Sequence, residues 1–171
     1  TSINPWSTAG WIKLASSPIE VSTHRFTADD GVELAWHEAG QGRPVVLIHG
    51  LFSDAAVNWV KYGAAAEITA RGFRLIMPDL RAHGSSGKPH DATAYPKDVL
   101  ADDGFALIRH LGLEEGGYDL GGYSLGARTT VRMLVRGARP RKTVIAGMGL
   151  DRLLHTGPSG DFFPKGLSKL G

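Results

Sequence analysis

Residues Tyr118–Thr130 read YDLGGYSLGARTT, and the centre of that stretch, Gly122-Tyr123-Ser124-Leu125-Gly126, decides how the rest of the chain is read. To its left, GGYDLGGY has the short apolar form of a strand; to its right, LGARTTVRMLVRGA has the spacing of a helix. A serine set where a strand turns sharply into a helix is forced into strained dihedrals with its hydroxyl exposed. Side chains two residues to either side would clash, so Gly122 and Gly126 fit the turn. The helix presents its free N–H groups and positive dipole end to that hydroxyl, which makes Leu125 N–H a natural donor to a developing oxyanion. A hydroxyl alone is a poor nucleophile and needs a base and further donors. The competing reading is a chance serine in a chain with 23 glycines.

The elements around this stretch alternate. IEVSTHRFTADDG and VELAWHEAG, from Ile19, form two short alternating segments about an Asp-Asp-Gly turn, which predicts a hairpin. RPVVLIHG and FRLIMPDL are continuous apolar runs, as expected for strands buried on both faces of a parallel sheet. A helix is predicted from about Asp54 to Ala70, and a second from about Pro96 to Leu111, with apolar Val99, Leu100, Phe105, Ala106, Ile108 and Leu111 at helical spacing. KTVIAGMGL predicts one more strand. Strands alternating with helices imply an α/β domain, a mostly parallel sheet with helices on both faces.

At 171 residues, with 42% hydrophobic and 21% charged residues, the chain fits one globular domain. A formal charge of +2 is too small to point to nucleic acid, and the absence of cysteine excludes disulfides and thiolate chemistry. No apolar run reaches the roughly 18 residues of a membrane span. Residues 1–18 lack the continuous apolar core of a signal peptide and read as a leader or cloning-derived remnant. The compartment is left open, with the cytoplasm favoured.

A second oxyanion donor is expected from the loop after another central strand. VVLIHGLFSDA supplies it through the N–H of Leu51 or Phe52, with Gly50 permitting the close approach. His49, ending a buried strand, reads as a loop organiser sooner than as a base. His110 reads as part of a solvated helix face. Arg128, Arg132 and Arg136 repeat at four-residue spacing and read as a solvated stripe, with anion binding as the alternative.

LIHGLF, MPDLRAHGSSGKP and GYSLG, in that order and spacing, resemble the α/β-hydrolase fold family, and most closely its esterase, lactonase and cofactor-free haloperoxidase branch. The resemblance covers about Ile19 to Leu150. It implies that Ser124 is the nucleophile, with Leu125 and Leu51 or Phe52 as oxyanion donors. It implies that Asp79, Arg81, His83, Gly84 and Ser86 pin the loop after the fourth strand. Aspartate in place of Ser124, at this strand-to-helix elbow, would imply dehalogenation or epoxide opening, and serine argues against both. The family orders its triad as Ser, acid, then His, the last two following later strands. Against that pattern the chain reads as a hydrolase core over residues 19–150 lacking the last two strands and most of the cap, with 151–171 the start of a cap or tail. Asp151, just past the sixth strand, and His155, four residues later, are the local candidates for acid and base; the alternatives are a helix cap and an ordinary cap residue.

The resulting expectation is a serine esterase cleaving small-molecule carboxylic esters through an acyl-enzyme, with no metal or organic cofactor. Phe52, Trp59, Tyr123, Met148, Phe162 and Phe163 are candidates for the substrate pocket. A catalytically silent fragment or interaction module is the reading from another class. Lactonase, thioesterase, acyltransferase or haloperoxidase activity would use the same serine. The unpaired edge expected on KTVIAGMGL predicts a homo-oligomer.

Overall fold

The computed structural model describes residues 19–149. Asp151, His155, Phe162 and Phe163 lie outside the described residues. Six strands form one sheet: β1 (Ser22–Thr27), β2 (Glu33–Ala39), β3 (Arg43–Ile48), β4 (Phe73–Pro78), β5 (Asp119–Tyr123) and β6 (Lys142–Ala146). Their order across the sheet is β1-β2-β4-β3-β5-β6. β1 and β2 form the expected antiparallel hairpin, and β2 runs antiparallel to β4. β4, β3, β5 and β6 are parallel to one another.

The continuous apolar runs have the predicted cause. Along β3 and β4 alternate side chains enter two separate cores. Val46, Ile48 and Ile76 join Leu107, Leu120 and Met133 on one face, while Leu47, Leu75 and Met77 join Ala55 and Ala65 on the other. The first face is covered by α2 (Val99–His110) and α3 (Leu125–Val135); the second by α1 (Ala64–Thr69) and a π-helical turn over Ala56–Val60. α2 and α3 approach closely, since a Cβ on Gly104 would lie 2.6 Å from Met133 Sδ.

Three expectations are corrected here. The single helix from Asp54 to Ala70 is two pieces, because Gly63 takes φ 88° between the π-helical turn and α1. α2 begins at Val99 rather than near Pro96, because Asp98 sits at φ 72° before it. The arginine stripe on α3 is in good part a seam between helices. Arg132 Nε donates to Asp98 Oδ1 at 2.6 Å, and Arg136 pairs with Asp102 at 2.7 Å, so two arginines one turn apart on α3 meet one aspartate at the N-cap of α2 and one in its first turn. Arg128, beyond the last rung, is exposed. His110 is exposed as expected, with its ring 5.3 Å from Trp36 and 5.6 Å from Phe26.

Among the described residues β6 pairs only with β5, and Val144 at its middle is 62% exposed.

Candidate active site

β5 ends at Tyr123 and α3 starts at Leu125, leaving Ser124 alone to make the turn at φ 52°, ψ −109°. A residue other than glycine holds such a conformation only when its surroundings over-determine it. Here they do. Ser124 N–H donates to the Ala146 carbonyl at 2.9 Å, tying the turn to the end of β6. A Cβ on Gly122 would lie 2.7 Å from Ala127 N, and one on Gly126 2.7 Å from the His49 carbonyl oxygen, so both flanking positions must be glycine. The ring of Tyr123 is held between two loops: a Cβ on Gly50 would stand 3.1 Å from its Cδ1, and one on Gly147 2.8 Å from its Cδ2.

Beside the turn lies an open cavity of about 320 Å³ that Ser124, Tyr123, Gly50, Leu51, Asn58 and Tyr62 help to line. The structure therefore brings Ser124, Tyr123 and Leu51 together. Phe52 is 94% exposed at φ 57°. Trp59 packs against the core on the α1 face, and Met148 is half-buried; neither is among the residues lining this cavity. The backbone N–H groups of Leu51, Phe52 and Leu125 have no hydrogen-bond partner among the described residues. Within α3 the hydrogen bond from Arg128 N–H to the Ser124 carbonyl, at 3.1 Å, leaves the preceding amides of the first turn free. Ser124 Oγ likewise has no hydrogen-bond partner among the described residues.

His49 is fully buried and its tautomer is fixed by its partners. Leu80 N–H donates to Nε2 at 2.9 Å, so Nε2 is the bare nitrogen and Nδ1–H donates to the Gly50 carbonyl at 2.8 Å. Burial pushes its pKa down, which favours the same neutral ring. His49 is thus a loop organiser with both nitrogens occupied. It also sets a direction: in a planar trans peptide the Leu51 N–H points opposite to the Gly50 carbonyl, away from the buried ring.

The loop after β4 holds this arrangement from below. Asp79 accepts from Ala55 N–H (2.9 Å), Ser85 N–H (2.7 Å) and His37 Nε2 (2.9 Å). Burial alone would raise the Asp79 carboxyl, but these bonds outweigh it and hold the pKa below the ordinary value. Ser86 Oγ donates to the Asp79 carbonyl at 2.6 Å and accepts Ala35 N–H at 2.9 Å. Gly84 must be glycine, because it takes φ 47° and a side chain there would overlap the Asp79 carboxylate. Arg81, buried, forks to Asp103 from α2 and to Asp30 from the β1–β2 turn. Burial opposes its charge, but the two carboxylates outweigh that and raise its pKa. His83 is half-buried, its Nδ1 donating to the Arg81 carbonyl at 2.9 Å, with its ring edge-on to His49 at 5.2 Å. Sequence reading missed two partners in this network. His37 sits on a hairpin strand, where it looks like any alternating polar residue, and Asn58 lies inside a stretch read as plain helix.

An α/β-hydrolase fold model matches residues 43–146, and the chain belongs to the α/β-hydrolase fold family. It is 33% identical over 113 residues to the AB hydrolase superfamily protein YisY of Bacillus subtilis, covering 66% of this chain and 40% of that protein. It is 34% identical over 128 residues to a non-heme haloperoxidase of Rhodococcus erythropolis, covering 71% of this chain and 42% of that one. Among solved structures, epoxide hydrolase VrEH1 from Vigna radiata superposes with a TM-score of 0.64 at 25% identity, over 72% of this chain and 39% of that one. The chain thus spans less than half the length of these relatives, and the sheet described above is part of their fold.

Proposed function

We propose that the chain is a serine hydrolase that cleaves carboxylic esters through an acyl-enzyme on Ser124. One observation carries the reading: Ser124 is held at φ 52° between two obligatory glycines, with its hydroxyl unengaged among the described residues, beside a cavity it shares with Leu51. In this reading Oγ attacks the acyl carbonyl and its proton passes to a histidine. The N–H groups of Leu125 and of Leu51 or Phe52 donate to the tetrahedral oxyanion, and collapse breaks the C–O bond to release the alcohol, which takes the proton from the histidine. Water then hydrolyses the acyl-serine. His49 is excluded as the base by its two occupied nitrogens. Asp151 and His155 are proposed as acid and base. Elbow serine favours ester cleavage over the epoxide opening named for some relatives. Lactonase, thioesterase, acyltransferase and haloperoxidase chemistry would share the same first step.

The partner proposed is a small-molecule ester and not nucleic acid; no helix among the described residues is long and apolar enough to cross a membrane. The exposed edge of β6 supports a homo-oligomer, which Val144→Lys should weaken in sedimentation at micromolar concentration. A monomer unchanged by the substitution would end that reading.

A silent interaction module is the second reading, favoured by Ser124 Oγ having no histidine partner among the described residues. Intact mass after treatment with an aryl phosphonate separates the two. A single adduct on the chain, absent from Ser124→Ala and slowed in His155→Ala, is the expected result. An unmodified mass would leave the silent reading standing.

A further inference from the structure

We infer that Asn58 is a positioning residue for the oxyanion loop, acting through the amide of Gly50; this rests on the acyl-enzyme reading above. Gly50 N–H donates to Asn58 Oδ1 at 3.0 Å. Because the backbone partner is a donor, the side-chain atom facing it must be the oxygen. Gly50 is therefore gripped at both of its backbone groups: its carbonyl by the buried His49 ring and its N–H by Asn58. The Asn58 bond fixes the peptide plane before Gly50 and the His49 bond fixes the one after it, so the two together restrain φ and ψ of Gly50 and hold the direction of the next amide, Leu51 N–H. Glycine is the residue for which such a stop matters most, since no Cβ limits its dihedrals.

The local chain is shaped to bring Asn58 there. Asn58 is the middle residue of the π-helical turn over Ala56–Val60, whose wide winding is closed by Lys61 N–H donating to the Ala56 carbonyl at 2.9 Å. The turn is started by Asp54, whose Oδ1 accepts Val57 N–H at 2.7 Å, and anchored by Ala55 N–H on the Asp79 carboxylate. Such wide turns recur at functional sites because they re-aim a side chain that regular helix would direct elsewhere. Asn58 is itself one of the residues lining the cavity beside Ser124. Its backbone N–H is spent on the Asp54 carbonyl at 3.0 Å, and among the described residues its side chain makes one hydrogen bond, the one to Gly50 in the oxyanion loop.

The test uses the full chain and a pair of matched probes, an aryl phosphonate and its thiophosphonate. Oxygen on phosphorus is a strong acceptor for the oxyanion amides and sulfur a weak one, so a formed oxyanion site favours the oxygen probe beyond the ratio seen with hydroxide. Asn58→Ala should slow labelling by the phosphonate about tenfold, less than the loss of a whole donor, and narrow the oxygen-to-sulfur ratio. Amide exchange at Gly50, followed by NMR, should quicken in the same variant. Asn58→Ser, too short to reach Gly50 yet polar at the rim, should behave alike and covers the case of an Asn58→Ala chain that does not fold. Unchanged Gly50 exchange, or a preserved ratio with normal Ser124 labelling, would overturn the role of Asn58 alone. No Ser124-dependent adduct in the unmodified chain would overturn the acyl-enzyme reading and this role with it.

Discussion

Two loops leave the carboxyl ends of adjacent strands and are built by opposite rules. After β4, the polar groups are inside: Asp79, Arg81 and Ser86 are buried, and each is tied to backbone or to an opposite charge. After β3, apolar groups are outside: Leu51 is 52% exposed and Phe52 almost wholly so, with its backbone in the left-handed region. Burying polar groups is tolerated only when every one is satisfied, so the first loop is rigid by construction. The second has backbone N–H groups at Leu51 and Phe52 with no partner among the described residues, and it is braced by the first. Ala55 N–H on Asp79 and the His49 ring on Leu80 N–H are the two braces. Strain and exposed donors at a site are thus supported by a fully bonded network beside it.

That contrast can be broken from either side. Ser124→Ala should reduce turnover of a short-chain aryl ester by about a thousandfold or more, with unfolding free energy unchanged within about 0.5 kcal/mol; steady-state rates and urea titration read the two quantities. A wild-type rate would remove Ser124 from the chemistry. Arg81→Ala should do the reverse, destabilising by about 3–5 kcal/mol because Asp103 is left buried without its guanidinium. The midpoint of urea unfolding measures it, and a shift below about 1 kcal/mol would show the pair to be dispensable.

Asp79→Asn should cost about 2 kcal/mol at neutral pH, since one of its N–H partners then meets an amide donor. The pH dependence has a definite sign. The folded-state pKa of Asp79 is depressed, so its contribution is fully present above the unfolded carboxyl value and disappears as pH falls through the folded one. The gap between wild type and Asp79→Asn should therefore narrow between pH 7 and pH 3, and a gap that widens on acidification would contradict the assignment. Phe52→Gly should be the mildest, leaving stability within about 1 kcal/mol of wild type, because an exposed ring is lost and left-handed strain is relieved together. A larger loss would mean that Phe52 packs against something on its exposed side.

Much of the fold was legible because its signals are local. Two continuous apolar runs marked strands with both faces covered, and Gly31 in the Asp-Asp-Gly turn marked the hairpin, where it takes φ 87°. The elbow was legible for the same reason, since Gly122 and Gly126 are demanded by neighbours within a few residues or by the adjoining strand. What was not legible depends on distant partners. The arginine stripe looked solvated until Asp98 and Asp102 were found opposite it. Trp59 could be read as pocket lining or as core, and it packs against the core cluster of Leu75 and Met77. Asn58 carried no signal at all, because a side-chain amide eight residues from the glycine it holds has no spacing rule to announce it.

By itself, then, the sequence determined the α/β alternation, the sharp turn at Ser124 and the glycines that permit it, since each follows from steric limits acting over a few residues. Tertiary structure alone decided that His49 is a brace with both nitrogens spent, that Asp79 and Arg81 are each held by several partners, and that the amides of Leu51, Phe52 and Leu125 have no partner among the described residues. The physical reason is that a hydrogen bond's partner is set by which segments the sheet order brings together. Steric rules are written in neighbours along the chain, whereas satisfaction of buried polar groups is written across strands separated by tens of residues, such as Asp79 with His37 or Arg81 with Asp30.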